Sequence, residues 1–299
     1  MKLKMKKRLI GLMIATAAVA PAFGDSVTGD IQTAVSTGFT LVGYNISNTG
    51  TSAVTGNVGV GSAAGTVTGF NPTGTATGTV YAPGDPTAGA AYNDFMSAYN
   101  AALALSGTAI GAGLTSQTFT ATSGVNVYTL PAGGTSTTTG TNLTFDANGN
   151  PNAVFIIQVP GAFTVNGAMT FSLLNGAQAD NIIWVVGTAA TISVGSSGAI
   201  TFDGNILSGT TFTMSAGAGG SGILAGTING CVFSAGGTNT LAGTTDVGGC
   251  SAFSGDSDSG TDATPEPGTM GLFACSLLAL GFLFRRRLQH QKIGLTAGA

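Results

Sequence analysis

No Lys, Arg or His occurs between Asp25 and Phe284. All nine Lys and Arg residues of this 299-residue chain lie in its two ends, and the one His is His290. Between the ends stand eleven Asp and a single Glu, Glu266. Such a body cannot form a side-chain salt bridge, so apolar burial and backbone hydrogen bonds must hold it together. It has no cation to neutralise phosphates, which excludes nucleic-acid binding and the usual grip on a nucleotide. It offers no imidazole for a Ser-His or Cys-His pair, or for zinc. Its Asp residues are scattered and nominate no acid–base pair of the glycosidase kind. The body reads as non-catalytic, with no cofactor and no metal.

The ends carry different signals. Residues 1–24 begin with Lys2, Lys4, Lys6, Lys7 and Arg8, continue as an apolar run to Ala20, and end in the small residues Ala22 and Gly24. That order predicts a secretory signal peptide. The far end reads Thr264-Pro265-Glu266-Pro267-Gly268, then an apolar stretch at about 269–284, then Arg285-Arg286-Arg287. This tripartite order resembles the PEP-CTERM sorting signal. The resemblance implies a signal at 264–287 with a transmembrane segment at about 269–284 and a cytoplasmic tail at 288–299. It further implies transient membrane contact, processing by an exosortase-type enzyme, and delivery to the cell surface or medium. Cys231 and Cys250 are the only Cys residues in the body. In an exported protein they form one disulfide by default, a buried free pair being the alternative.

Residues 25–250 form the folding body, and the Gly/Ser/Asp-rich stretch 251–263 reads as a flexible linker. Short runs of Val, Ile, Thr and Phe alternate with Gly and Asn, which predicts many short strands. Aligning Ile157, Trp184, Ile206 and Ile223 gives repeats of 27, 22 and 17 residues. A second echo runs through Phe163-Thr164-Val165, Thr191-Ile192-Ser193, Thr211-Phe212-Thr213-Met214 and Val232-Phe233-Ser234. Uneven repetition with few charges predicts a β-solenoid, with a β-sandwich as the competing all-β fold. One segment differs. Asp85-Pro86 is a helix start, and Ala88, Ala91, Tyr92, Phe95, Met96, Tyr99, Ala102 and Leu103 recur at helical spacing. They predict a helix over about 86–106 whose stripe packs on the solenoid.

The chain holds 44 Thr. In strands, Thr sets a hydroxyl beside a methyl on a stiff stem. Ladders of it on a flat sheet can hold ordered water. At this point the body resembles the bacterial and fungal ice-binding family. The match is carried by residues 45–60 with Thr68-Gly69-Phe70, by Ala91-Tyr92-Asn93-Asp94-Phe95, by Leu143-Thr144-Phe145-Asp146 with 151–155, and by 174–181 with Trp184 and Gly204-Asn205-Ile206-Leu207. The resemblance implies a mainly β fold: a right-handed discontinuous β-solenoid with one long flanking α-helix. It also implies adsorption to ice through a flat face bearing Thr-Ala/Gly-x-Thr/Asn motifs. Thr68-Gly69-Phe70-Asn71, Thr139-Gly140-Thr141-Asn142 and Thr188-Ala189-Ala190-Thr191 fit that string. The equivalent coils read Asn166-Gly167-Ala168-Met169, Ser197-Gly198-Ala199-Ile200 and Ala216-Gly217-Ala218-Gly219. The candidate ice-binding residues are therefore Asn166, Thr170, Thr188, Thr191, Ser197, Thr201 and Thr238. The expected partner is ice; the alternative is a structural or adhesive role in the extracellular polysaccharide matrix.

Overall fold

The computed structural model describes residues 35–250, apart from 112, 115, 132–135, 139–140, 168, 194–199 and 216–223, together with residues 29 and 31. The expected signal peptide, linker, sorting signal and tail lie outside the described residues, as do Ser197 and Ile223.

In chain order the strands before the helix are β1 (Phe39–Asn48), β2 (Ala53–Val54), β3 (Asn57–Val60), β4 (Val67–Thr68) and β5 (Thr75–Ala76). The helix α1 (Pro86–Ala104) follows. Then come β6 (Thr108–Ala109), β7 (Thr118–Thr120), β8 (Val125–Thr129), β9 (Ser136–Thr138), β10 (Thr141–Asp146), β11 (Val154–Val159), β12 (Phe163–Asn166) and β13 (Met169–Leu174). The last are β14 (Ile182–Val186), β15 (Ala190–Ser193), β16 (Ile200–Asp203), β17 (Asn205–Ser208), β18 (Phe212–Ser215), β19 (Leu224–Asn229), β20 (Val232–Leu241) and β21 (Thr244–Gly248).

Every ladder between these strands is parallel, and the strands sort into three faces of a coiled stack. The first face runs β6, β8, β11, β14, β17, the first half of β20, the first half of β1, then β3. The second runs β9, β12, β15, β18, the second half of β20, the second half of β1, then β4. The third is interrupted: β7, β10 and β13 form one sheet, and β16, β19, β21, β2 and β5 another. The stack is discontinuous in sequence, because β1 docks on β20, Leu41 opposite Val232. This is the mainly β, helix-flanked solenoid expected.

The register also corrects the repeat. Ile157 lies beside Trp184, Trp184 beside Ile206, and Ile206 beside Val232. The fourth equivalent is therefore Val232, not Ile223, and the last repeat is 26 residues rather than 17. Val232-Phe233-Ser234 belongs to the first face, and the second echo is completed by Asn239-Thr240-Leu241.

The first face is apolar on both sides, which explains its unbroken runs in sequence. Phe155, Ile157, Ile182, Trp184 and Ile206 point into the stack. Their alternates Ile156, Ile183, Val185, Leu207 and Phe233 lie under α1. Inside, Phe163 stacks on Trp184 with centroids 5.2 Å apart and planes 5° from parallel. The buried indole N–H donates to the Asp203 carbonyl at 3.0 Å, the partner such a group requires. Each such aromatic contributes about 2–3 kcal/mol by burial.

Helix α1 starts where Asp85 accepts from the Thr87 and Ala88 amides at 2.8 and 3.4 Å. Its buried stripe is Ala88, Ala91, Phe95, Ala98, Tyr99 and Ala102. The Ala residues let it lie close to the sheet. Nineteen residues at about 1.5 Å each give about 28 Å. That length suits the six strands it touches, β3, β1, β20, β17, β14 and β11, at about 4.8 Å apart.

The expectation of a transmembrane segment is corrected. Among the described residues no helix is long and apolar enough to cross a membrane. The 19-residue α1 is Ala-rich and carries Asn93, Asp94 and Asn100, polar groups that hydrocarbon does not tolerate. Residues 269–284 lie outside the described part.

Candidate functional site

Of the three faces, the first is covered by α1 and the third is broken between β13 and β16. The third also carries Asp146, Asp203 and Asp246 in its strands. The second is continuous over seven strands and holds no carboxylate.

Its strands share one pattern. Phe163-Thr164-Val165-Asn166, Ala190-Thr191-Ile192-Ser193 and Phe212-Thr213-Met214-Ser215 alternate a buried apolar residue with an outward polar one. The period-two alternation sends the first and third residues into the core and the others outward. Because the ladders are in register, the outward residues form rows. Thr164 lies beside Thr191, Thr191 beside Thr213, and Thr213 beside Thr240. The row then crosses the sequence discontinuity to Ser47 and ends at Thr68. In the other direction Thr137 is next in register.

Neighbours in this row stand about 4.8 Å apart, and alternate residues along a strand about 6.7 Å apart. Among the described residues, the hydroxyls of Thr164, Thr191, Thr213, Thr240 and Ser47 make no hydrogen bond within the protein. The side chains are partly exposed. The flanking rows are less regular. Asn166, Ser193 and Ser215 line up on one side, with the Ser193 and Ser215 hydroxyls 2.8 Å apart. On the other side Thr238 lies beside Asn45, whose Oδ1 accepts from the Thr66 amide at 2.9 Å.

The structure thus brings together Asn166, Thr191 and Thr238 on the second face. Thr170 in β13 and Thr201 in β16 are on the third. Thr188 is exposed in the turn before β15. Ser197 lies outside the described residues, as do 216–219 and Thr139-Gly140 of the proposed motif strings. The family's four-residue string picks out Thr68, which the structure places in the row, but not Thr164, Thr213, Thr240 or Ser47. The apolar-Thr-apolar-Asn/Ser tetrad just described finds Thr164 and Thr213; Thr240 and Ser47 join the row only through strand pairing.

Among the described residues no three His, Cys, Asp or Glu side chains are placed to hold a metal. Asp146 accepts from the Asn148 amide and the Asn175 side chain, both at 2.8 Å. The Asn175 amide and then the Asn148 N–H hold its carboxyl below the usual range. Cys231 and Cys250 are disulfide-bonded with Cα atoms 4.9 Å apart.

The family model described as ice-binding-like matches residues 40–246. The chain belongs to this family. An ice-binding protein of Nostoc sp. is 33% identical over 177 residues, 59% of this chain and 61% of its own. One from Typhula ishikariensis is 34% identical over 98 residues, 30% of this chain and 39% of its own. The matched region thus spans less than two thirds of these relatives. The crystal structure of an ice-binding protein from an Antarctic biological consortium superposes with TM-score 0.59 at 26% identity, covering 73% of this chain and 88% of that one. That of Antarctomyces psychrotrophicus gives 0.57 at 26% identity, covering 72% and 95%. This ice-binding-like chain is a non-catalytic member.

Proposed function

We propose that this protein adsorbs to ice through the second face, centred on Thr164, Thr191, Thr213, Thr240, Ser47 and Thr68. The observation that carries the reading is the unbroken, carboxylate-free hydroxyl row on seven parallel strands. Stiff β-branched side chains hold hydroxyl and methyl at a repeat set by the backbone. Water bound there is already ordered when it meets the ice lattice. Asn166, Thr191 and Thr238 contribute on the same face, whereas Thr170, Thr201 and the corner residue Thr188 stand off it.

The test compares thermal hysteresis and ice-recrystallisation inhibition for two substitutions. Thr213→Tyr on the second face is expected to abolish ice shaping, and Thr144→Tyr on the third to leave it intact. Equal activity in both would sink the reading. A wild-type chain with no ice activity at high concentration would favour the structural or adhesive role in the extracellular polysaccharide matrix.

The protein acts outside the inner membrane in this reading. The N-terminal export signal and the Cys231–Cys250 disulfide support that location, since the bond persists in an oxidising compartment. Residues 264–287 are the proposed sorting signal, handled by an exosortase-type enzyme. Replacing Pro265-Glu266-Pro267 by Ala is expected to retain the precursor, detectable by the size of the cell-associated chain.

A further inference from the structure

Four Asn-Gly pairs fall in the described residues: Asn148-Gly149, Asn166-Gly167, Asn175-Gly176 and Asn229-Gly230. In any such pair the Gly amide nitrogen can attack the Asn side-chain carbonyl, because no Cβ hinders it. In three pairs that nitrogen is engaged with the adjacent coil. Gly149 donates to the Asn175 carbonyl at 3.1 Å, Gly167 to Ser193 at 2.8 Å, and Gly230 to Gly248 at 2.6 Å. Gly176 alone makes no hydrogen bond through its nitrogen among the described residues.

The reason lies in the stack. Asn148-Gly149 and Asn175-Gly176 are successive tight turns, with φ of 52° and 83° in one and 52° and 94° in the other. Positive φ at both positions is the Asn-Gly turn preference. The first turn rests on the second. The second has no counterpart to rest on, because the next coil is shorter: Trp184 to Ile206 is 22 residues against 27 before it. The third face breaks at the same level, between β13 and β16. Asn175 is exposed, and the nearest atoms to a Cβ built at Gly176 belong to Pro151, no closer than 3.4 Å.

We infer that Asn175-Gly176 is a site of spontaneous deamidation, spared at the other three pairs by coil stacking. The Gly176 nitrogen loses its proton and bonds to Asn175 Cγ. The Cγ–Nδ2 bond breaks, and the nitrogen leaves as ammonia. Water then opens the succinimide at either carbonyl, giving Asp or isoaspartate. The product matters because of Asp146. Asn175 Nδ2 donates to Asp146 Oδ1 at 2.8 Å, much as Asn229 donates to Asp203 at 2.7 Å. Amides thus solvate these carboxylates in a body without cations. Deamidation replaces a donor with a second carboxylate and turns that rung repulsive. The inference does not depend on ice adsorption, since Asn175 lies off the second face.

The full chain is incubated at mildly alkaline pH, folded or in urea with reductant. It is then cleaved with chymotrypsin, because the body has no tryptic site, and mapped by mass spectrometry with isoaspartate detection. In the folded protein Asn175 is expected to convert at least about fivefold faster than Asn148, Asn166 or Asn229, the worth of one engaged amide. In urea the four sites are expected to converge. Folded Asn148 or Asn166 converting as fast as Asn175, or the same order of rates in urea, would overturn the inference. Asn175→Asp is expected to lower the urea midpoint without changing ice activity. An unchanged midpoint would overturn the proposed repulsion.

Discussion

The side-chain amide of Gln158 in β11 donates to the carbonyl of Ala102, 2.6 Å away, in the last turn of α1. It also reaches the Leu105 carbonyl at 2.9 Å. A helix end leaves its last carbonyls short of partners: the Leu105 N–H reaches Ala102 only at 3.4 Å, and Gln158, 5% exposed, meets both carbonyls from the sheet. Gln158→Leu is therefore expected to cost about 1–3 kcal/mol, read as a lower urea midpoint. Gln158→Glu should fare no better, since it loses the N–H donors and buries a charge. Wild-type midpoints in both variants would mean that water serves the helix end equally well.

Ser47 should matter as much as Thr213. It sits between Thr240 and Thr68 in the row, although its strand comes from the other end of the sequence. Ser47→Tyr is expected to reduce thermal hysteresis as strongly as Thr213→Tyr. Stability should change by less than about 0.5 kcal/mol, as for most surface substitutions. Full activity in Ser47→Tyr would confine the surface to β12–β20.

The disulfide closes a 19-residue separation from the residue before β20 to the second residue after β21. Loops of that size are worth about 3 kcal/mol. The Cys231→Ala, Cys250→Ala double variant should lose about that much in a denaturant titration. Reductant should destabilise the wild type and leave the double variant unaffected. A midpoint insensitive to reductant in both would show that stacking alone closes the stack.

Asp146 contributes one part of the acid dependence. Its folded pKa is lowered by the Asn175 amide and then the Asn148 N–H. A carboxyl depressed on folding adds stability that is present above its unfolded pKa, about 3.9. That stability is lost as pH falls through the lower folded value. Asn175→Ala should shift the Asp146 titration upward in carboxyl-detected NMR. It should also flatten stability against pH below about pH 4. The same Asp146 titration in both proteins would assign the shift elsewhere.

What could be read in the sequence followed from periodicity. Val154 to Val159 and Ile182 to Val186 are buried on both sides, so each reads as an apolar run and marks the first face. Asp85-Pro86 and the Ala/Phe/Tyr stripe mark α1 two residues longer than it is, because Gln158, distant in sequence, determines where it ends. The hydroxyl row was harder. Thr170 and Thr201 lie near the family's motif positions in sequence, yet they fall in β13 and β16 on another face than Thr191. Ser47 and Thr68 reach the row only through the β1–β20 pairing, which no local pattern announces.

That pairing has a consequence for biosynthesis. The ribosome makes β1 among the first strands of the body and its neighbour β20 among the last. Until β20 arrives, β1 has one open edge, the kind of surface that recruits stray strands. An export route that keeps the nascent polypeptide unfolded until release would protect it. A truncated product lacking residues beyond 231 would carry Ser47 and Thr68 on an undocked segment.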